Sequence, residues 1–310
     1  MKKILLTGGA GFIGSNLAHF LFKRHYQVVV LDALTYAANP QRLPNGIPLI
    51  VGDISDIDTL TQICQTQTFD AIINCAAESH VDRSIVDSTA FIKSNVLGVQ
   101  VLLDACLQYN IAQFLQISTD EVYGSLGQSG KFTEDSPLHP SSPYSASKAS
   151  ADLLCQAWYR THGLHINITR CSNNFGPNQH PEKFIPRMIQ QAQHNLPLPI
   201  YGDGSNIRDW IHVDDHCAAI LTVLEHAPAG EVYNVGSNME WCNLDLAKEI
   251  LRALNKPESL LSFIQDRKGH DWRYAVDSSK LQQQLGWSPK IHFEEALHQT
   301  IHHYLQPSKF

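Results

Sequence analysis

Lys3-Ile4-Leu5-Leu6-Thr7-Gly8-Gly9-Ala10-Gly11-Phe12-Ile13-Gly14 is the run that decides the fold. Its first five residues read as a short buried strand, and the glycines begin where that strand stops. Gly8, Gly11 and Gly14 have the spacing G-x-x-G-x-x-G, a variant of the dinucleotide fingerprint. Glycine there lets the backbone turn tightly and approach a pyrophosphate at a helix N-terminus. A glycine motif alone is weak evidence. Here a helical stretch over 16–25 follows it, and a second strand, Gln27-Val28-Val29-Val30-Leu31, ends at Asp32. Asp32 stands about 20 residues beyond the motif, where a carboxylate takes the adenosine ribose hydroxyls. The combination favours a dinucleotide site over a plain βαβ unit. A 2′-phosphate would meet the charge of Asp32, and no Arg or Lys sits at Ala10, Ser15 or Ala33 to offset it. NAD is therefore expected rather than NADP.

Working outward, strands and helices alternate. Pro48-Leu49-Ile50-Val51 predicts a third strand running into Gly52-Asp53-Ile54, where Asp53 could accept from an adenine amino group or simply cap the next helix. Phe69-Asp70-Ala71-Ile72-Ile73 predicts a fourth, followed by Ala76-Ala77, small enough for a cofactor to lie against backbone. A long helical pattern covers 88–109, a fifth strand Phe114-Leu115-Gln116-Ile117, a helix 144–162 and a sixth strand His165-Ile166-Asn167-Ile168-Thr169. This rhythm predicts an α/β fold, a Rossmann-type doubly wound parallel sheet with helices on both faces. After Arg170 the rhythm breaks and a smaller, mixed lobe is expected. The expected division is a nucleotide-binding domain over 1–172, with returning segments near 208–236, and a substrate-binding lobe over 173–310.

Two stretches carry chemistry. Ser118-Thr119-Asp120-Glu121-Val122-Tyr123-Gly124 follows the fifth strand, at the end of the sheet where open α/β folds bind ligands. Asp120 and Glu121 offer two proton-transfer groups, but a strand points neighbours to opposite faces, so both serve one substrate only if the chain turns there. Tyr144-Ser145-Ala146-Ser147-Lys148 places Tyr and Lys one helical turn apart. A cation there favours the phenolate, which would make Tyr144 a base near neutral pH. A solvated acidic turn and an ordinary helix are the bland alternatives to each taken alone.

The 310 residues can bury a large core, and 43% hydrophobic with 17% charged content describes a globular chain. A net charge of -7 argues against nucleic acid or anionic membrane as a general partner, though local Arg and Lys could still hold an anionic substrate. Seven scattered cysteines without a Cys-x-x-Cys pair suggest reduced thiols in a cytoplasmic protein. No metal-ligand pattern stands out among the sixteen histidines. The apolar start stops at Thr7, too early for a signal peptide, and no stretch reads as a membrane span.

Taken together, Thr7 to Gly14, Ala76-Ala77-Glu78-Ser79-His80-Val81-Asp82-Arg83-Ser84, the Ser118–Gly124 stretch, Arg170-Cys171-Ser172-Asn173-Asn174-Phe175-Gly176-Pro177, Tyr201-Gly202-Asp203-Gly204, Ile207-Arg208-Asp209-Trp210 and Asp266-Arg267-Lys268-Gly269-His270-Asp271 resemble the extended short-chain dehydrogenase/reductase family. Within it the match is to the nucleotide-sugar 4,6-dehydratases. The likeness spans essentially the whole chain, and the Thr-Asp-Glu triplet is its most specific part, since sugar-nucleotide 4-epimerases differ there. The resemblance implies catalytic roles for Thr119, Asp120, Glu121, Tyr144 and Lys148. It implies NAD contacts from Gly8, Gly11, Phe12, Ile13, Gly14, Asp32, Leu34, Thr35, Asp53, Ile54, Ala76, Ala77, Ser79, Tyr144, Lys148 and Asn174. For the substrate it implies Ser79, Thr119, Asn173, Lys183, Phe184, Pro199, Tyr201, Arg208, Asn243, Arg267, His270 and Tyr274, with Arg208 and Arg267 suited to a diphosphate. The implied reaction is the internal redox dehydration of a nucleoside-diphosphate glucose, dTDP-glucose foremost, in a homodimer paired through the two long helices. A related 4-epimerase or UDP-glucuronate decarboxylase, or a silent NAD-binding regulator, remains the alternative.

Overall fold

The computed structural model describes residues 2–306. Its centre is a seven-stranded sheet built from β1 (Lys3–Thr7), β2 (Gln27–Asp32), β3 (Leu49–Val51), β4 (Ala71–Asn74), β5 (Gln113–Thr119), β6 (His165–Cys171) and β10 (Val232–Val235). The order is β10-β6-β5-β4-β1-β2-β3, and every pairing is parallel. Strand order reverses between β1 and β4, so the crevice beyond Thr7 and Asn74 is the topological switch point.

Alternation within each strand explains the two covered faces. Ile4, Leu6, Val28, Val30, Ile73, Leu115 and Ile117 join one core. Leu5, Val29, Leu31, Ile72 and Phe114 join the other. The first face is covered by the helices Phe12–Phe22, Val213–His226 and Ser279–Leu285. The second is covered by Ile57–Thr66, Thr89–Gln108 and Pro143–His162. A strand buried on both sides needs near-continuous apolar sequence, which is what these strands have.

The remaining strands are β7 (Asn173–Phe175), β8 (Leu198–Tyr201), β9 (Ile207–His212), β11 (Glu240–Cys242) and β12 (Leu261–Ile264). They form a three-stranded sheet β11-β9-β7 and a two-stranded sheet β12-β8. The helices Phe184–Gln193, Asn243–Ala253 and Phe293–Leu305 enclose a third core with them. The stretch near 208–236 is divided: β9 lies in the small sheet, whereas the helix Val213–His226 and β10 pack on the large one. Leu281 and Trp287 also return to the large-sheet core.

Three local expectations need correction. The first helix begins at Phe12, not at Asn16, because Gly11 is its N-terminal flank and the helix starts inside the glycine motif. The helix expected over 88–109 runs as Thr89–Gln108 but is wound as a π-helix over Ile92–Leu97. That same helix carries an apolar stretch long enough to cross a membrane, where the sequence reading found none. Half of that apolar window is buried, and Val99, Leu102, Leu103 and Cys106 face the core, so the same composition serves packing against the sheet.

Candidate active site

Two adjoining cavities open at the switch point. Gly8, Gly11, Ala37, Cys75 and Ala77 line both, so they form one trough. At one end lie Asp32, Thr35, Asp53 and Ile54; at the other, Thr119, Asp120, Glu121, Tyr144 and Lys148. Phe12, Ile13, Gly14, Ser79 and Asn174 line the second part, Ala76 the first.

The glycines are required by contact. A Cβ on Gly14 would lie 2.1 Å from the Gly8 carbonyl oxygen. Gly8 has φ +67°, and its Cβ would lie 2.5 Å from the Ala76 nitrogen. Gly11 differs: a Cβ there would meet only the Gly8 oxygen, at 3.3 Å, leaving its other side to the cavity. Asp32 is held in place by the N–H groups of Ala10 at 2.9 Å and Leu34 at 2.8 Å. Asp53 accepts from Ser55 and, at 2.9 Å, from the Lys93 ammonium.

The acidic pair depends on where β5 stops. Thr119 is its last residue, and Asp120–Tyr123 forms a 3-10 turn capped by the Thr119 hydroxyl, which accepts from the Glu121 N–H. The turn brings both carboxylates to one cavity, which a continuing strand would not. Asp120 is buried, one oxygen taking the Thr119 hydroxyl at 3.3 Å and the other without a partner. Burial, then the charges of Glu121 and Asp209, pushes its carboxyl well above the usual range. Burial raises Glu121 too, but Arg267, Arg208 and Lys183 oppose that rise. The pair is thereby set to divide into one protonated and one ionised member.

The helix Pro143–His162 starts with a capping box between Ser142 and Ser145 and a proline at its first position. That start is tied to the helix Val81–Val86, since the Tyr144 N–H donates to the Ser84 hydroxyl. Lys148 donates to the Ile117 carbonyl at 2.7 Å rather than to Tyr144. Burial, and next the Glu121 charge, pushes the Tyr144 phenol well above its ordinary value. The lysine is itself lowered by burial.

A further cavity adjoins through Ser79, Glu121, Asn173, Glu182 and Lys183. Phe184, Pro199, Tyr201, Arg208, Asn243 and Arg267 line it, as the sequence suggests for a substrate. Lys183 donates to the Ser79 carbonyl at 2.8 Å. Arg208 donates to the carbonyls of Ile207, Asp271 and Trp272 and stacks over Tyr274, 4.4 Å from the ring centre. Three expected contacts stand back from the cavities. Leu34 serves Asp32 through its N–H. Tyr274 is buried behind Arg208 and bonded to Asp271. His270 packs edge-on against Tyr201 and bonds Asp266. Asn174 lines the trough, but its amide is engaged by His216 and by the Ser172 carbonyl.

Sequence reasoning missed several groups. Arg187, one turn beyond Lys183, adds a fourth basic side chain to the cavity. Asn95, in the π-helical segment, bonds both backbone groups of Glu78 and the Ser147 hydroxyl, joining the trough wall to the helix that carries Tyr144 and Lys148. Thr7, Asn74 and Gln116 form a buried polar ladder across three strands at the switch point. Polar residues at the C-terminal ends of β1 and β4, and one in the middle of β5, are the only sequence signal for that ladder. Among the described residues no group of His, Cys, Asp or Glu is arranged to hold a metal, and all seven cysteines are free.

The family model described as GDP-mannose 4,6 dehydratase matches residues 5–300. The low-salt glycan biosynthesis protein Agl12 of Haloferax volcanii is 50% identical over 97% of this chain and 98% of that protein. A dTDP-glucose 4,6-dehydratase of Xanthomonas campestris pv. campestris is 48% identical over 98% of this chain and 93% of its own length. The crystal structure of DesIV, a dTDP-glucose 4,6-dehydratase from Streptomyces venezuelae with NAD and TYD bound, superposes with a TM-score of 0.94 at 44% identity, covering 97% of this chain and 96% of that one. With a trough, an acidic turn and a Tyr–Lys helix arranged as above, the chain belongs to the GDP-mannose 4,6 dehydratase family and, within it, to the dTDP-glucose 4,6-dehydratases.

Proposed function

We propose that this protein is a hydro-lyase that converts dTDP-glucose to its 4-keto-6-deoxy derivative with NAD as an internal redox cofactor. The observation that carries the proposal is the shared cavity of Asp120, Glu121, Tyr144 and Lys148. An epimerase or a decarboxylase of this kind needs the Tyr and Lys but not two carboxylates on one turn.

The residues fit NAD. The trough is long, glycine-floored at its middle, and ends at a pinned carboxylate suited to ribose hydroxyls. Asp32 opposes a 2′-phosphate, so NAD is used in preference to NADP; the assay below, run with each cofactor, tests that. The contribution of NAD when bound is a hydride store, filled from C4 and emptied at C6, and a positive charge. Beside it, Tyr144 takes the proton of the C4 hydroxyl, and the Lys148 charge favours the phenolate that does so. The C4 ketone acidifies the C5 hydrogen, which Glu121 removes. Asp120, kept protonated by burial and by Glu121, gives its proton to the C6 hydroxyl as that group leaves as water. Glu121 returns a proton to C5 as C6 is reduced. Lys183, Arg187, Arg208 and Arg267 converge on the neighbouring cavity and supply the charge a diphosphate requires within a net-acidic protein. In this division the large sheet and its return hold the cofactor, and residues 173–310 supply most of the substrate contacts.

The protein acts as a homodimer in the cytoplasm, on a soluble nucleotide sugar, without nucleic acid or membrane. Ile92, Leu97 and Leu153 leave apolar side chains exposed on the two long helices, which supports pairing of those helices with a second copy. A monomeric mass by light scattering at micromolar concentration would contradict it. The decisive assay incubates the protein with dTDP-glucose and analyses the product by mass spectrometry and NMR. A keto-deoxyhexose lighter by one water is expected. A C4 epimer, or no turnover across a panel of nucleotide glucoses, would overturn the proposal.

A further inference from the structure

The mechanism uses Asp120 and Glu121 of the 3-10 turn and leaves its last residue, Tyr123, without a task. That side chain is buried. Its hydroxyl donates to the Asn234 side-chain oxygen at 2.7 Å and accepts from an Arg170 guanidinium nitrogen at 2.9 Å. Arg170, equally buried, reaches in the other direction to the Asp152 carboxylate at 2.8 Å. Asp152 lies one helical turn beyond Lys148, and Arg170 stands beside Ser118 in the β5–β6 register. A continuous buried chain, Asp152–Arg170–Tyr123, therefore joins the helix that carries Tyr144 and Lys148 to the turn that carries Asp120 and Glu121.

Geometry around the chain narrows its purpose. The near side of the turn is fixed by β5 pairing and by the Thr119 cap. Its far side is fixed by the Tyr123 hydroxyl, with the His139 N–H donating to the Val122 carbonyl. The Tyr123 ring stacks on Phe132 at 4.8 Å, so the aromatic packing does not depend on the hydroxyl. A fully buried ion pair adds little net stability over a well-packed apolar pair; its best-attested use is to fix register. The Arg170 fork, aimed at once along the helix and the turn, has that form.

We propose that Tyr123, held by Arg170 and Asp152, is a positioning residue that sets the acid and base of the turn against the substrate already placed by Tyr144 and Lys148. Its hydroxyl matters to elimination at C5 and C6 and not to oxidation at C4. This rests on the dehydratase reading above.

Tyr123→Phe tests it, because the substitution keeps the ring and the ion pair. Displacement of reacting groups by about 1 Å can slow chemistry on the order of 100-fold. With dTDP-glucose, formation of the dehydrated product should fall roughly 10- to 100-fold. The rapid phase of cofactor reduction should stay within about twofold of the parent, well below a catalytic-group effect. Affinity for dTDP by calorimetry should likewise be unchanged. Equal slowing of both phases, or no slowing of elimination, overturns the proposal. Should the Phe variant fail to fold, Arg170→Lys, which keeps a cation for Asp152 but shortens the reach to Tyr123, must show the same selective loss. Failure of the parent protein to dehydrate dTDP-glucose would strike the functional reading instead, and appears in the control.

Discussion

At the scale of single residues, the chemistry divides among groups whose environments differ in direction. Asp120 is buried beside two other carboxylates, whereas Glu121 faces guanidinium and ammonium groups. Tyr144→Phe should therefore abolish the first oxidation. Glu121→Gln should permit oxidation but block loss of the C5 proton, and Asp120→Asn should permit both and slow departure of the C6 hydroxyl. Each loss should be about 10²–10⁴-fold in turnover. Single-turnover absorbance of the reduced cofactor separates the three: none in Tyr144→Phe, accumulation in the carboxylate variants. Full dehydration by Glu121→Gln would remove that residue as the base. These residues were legible in sequence because triplet and Tyr-x-x-x-Lys are contiguous. What contiguity cannot carry is environment. The upward push on Tyr144 arises from burial and from Glu121, a residue 23 positions away in the chain. The retreat of Tyr274 behind Arg208 is likewise a matter of tertiary packing that no motif encodes.

Whole elements show the same division between local and distant causes. The central strands of the large sheet, β1, β2 and β4, were legible because they are apolar on both faces and bounded by polar or glycine residues. The helix Val213–His226 was not singled out, since it sits in a region where β7, β8 and β9 are each only three to six residues long. The π-helical turn over Ile92–Leu97 left no periodic trace, yet it places Asn95 against Glu78 and Ser147. The glycine loop is the element whose geometry is most constrained by sequence. Gly14→Ala would put a Cβ 2.1 Å from the backbone oxygen of Gly8, which cannot move aside as a flexible side chain could. A destabilisation of about 1–3 kcal/mol or more is expected, together with loss of NAD affinity. Gly127→Ala, where a Cβ meets no atom within 4 Å, is the control and should stay within about 0.5 kcal/mol. Urea unfolding and a cofactor titration read both effects. Equal stability of the two variants would mean that the loop and the helix start are not in contact.

Across the molecule, the two lobes meet at groups buried in unfavourable protonation environments, and these make stability depend on pH. His216, on the helix Val213–His226, is fully buried, and its ring donates from Nδ1 to the Asn174 oxygen while Nε2 has no partner. Burial lowers it from an ordinary 6.5 to about 3. The unfolded chain therefore binds a proton between about pH 6.5 and 3 that the folded chain refuses. The stability His216 contributes is present above pH 6.5 and is lost as pH falls towards 3, by up to about 5 kcal/mol at 1.36 kcal/mol per unit. Asp209, on β9 behind the acidic turn, has the opposite sign. Burial raises it from 3.8 to about 6, so its contribution is present below 3.8 and is lost as pH rises through 6, by up to about 3 kcal/mol. Two variants separate these. Relative to the parent, His216→Gln should gain ground as pH falls from about 7 to about 4, because its side chain has no proton to take up. Relative to the parent, Asp209→Asn should gain ground as pH rises over the same interval, because it has none to lose. Urea midpoints at the two pH values, compared as slopes rather than absolute stabilities, cancel any packing change that the substitutions bring. A His216→Gln slope equal to that of the parent would mean that the imidazole is protonated in the folded protein, and that Asn174 is then held through its carbonyl oxygen by a charged donor.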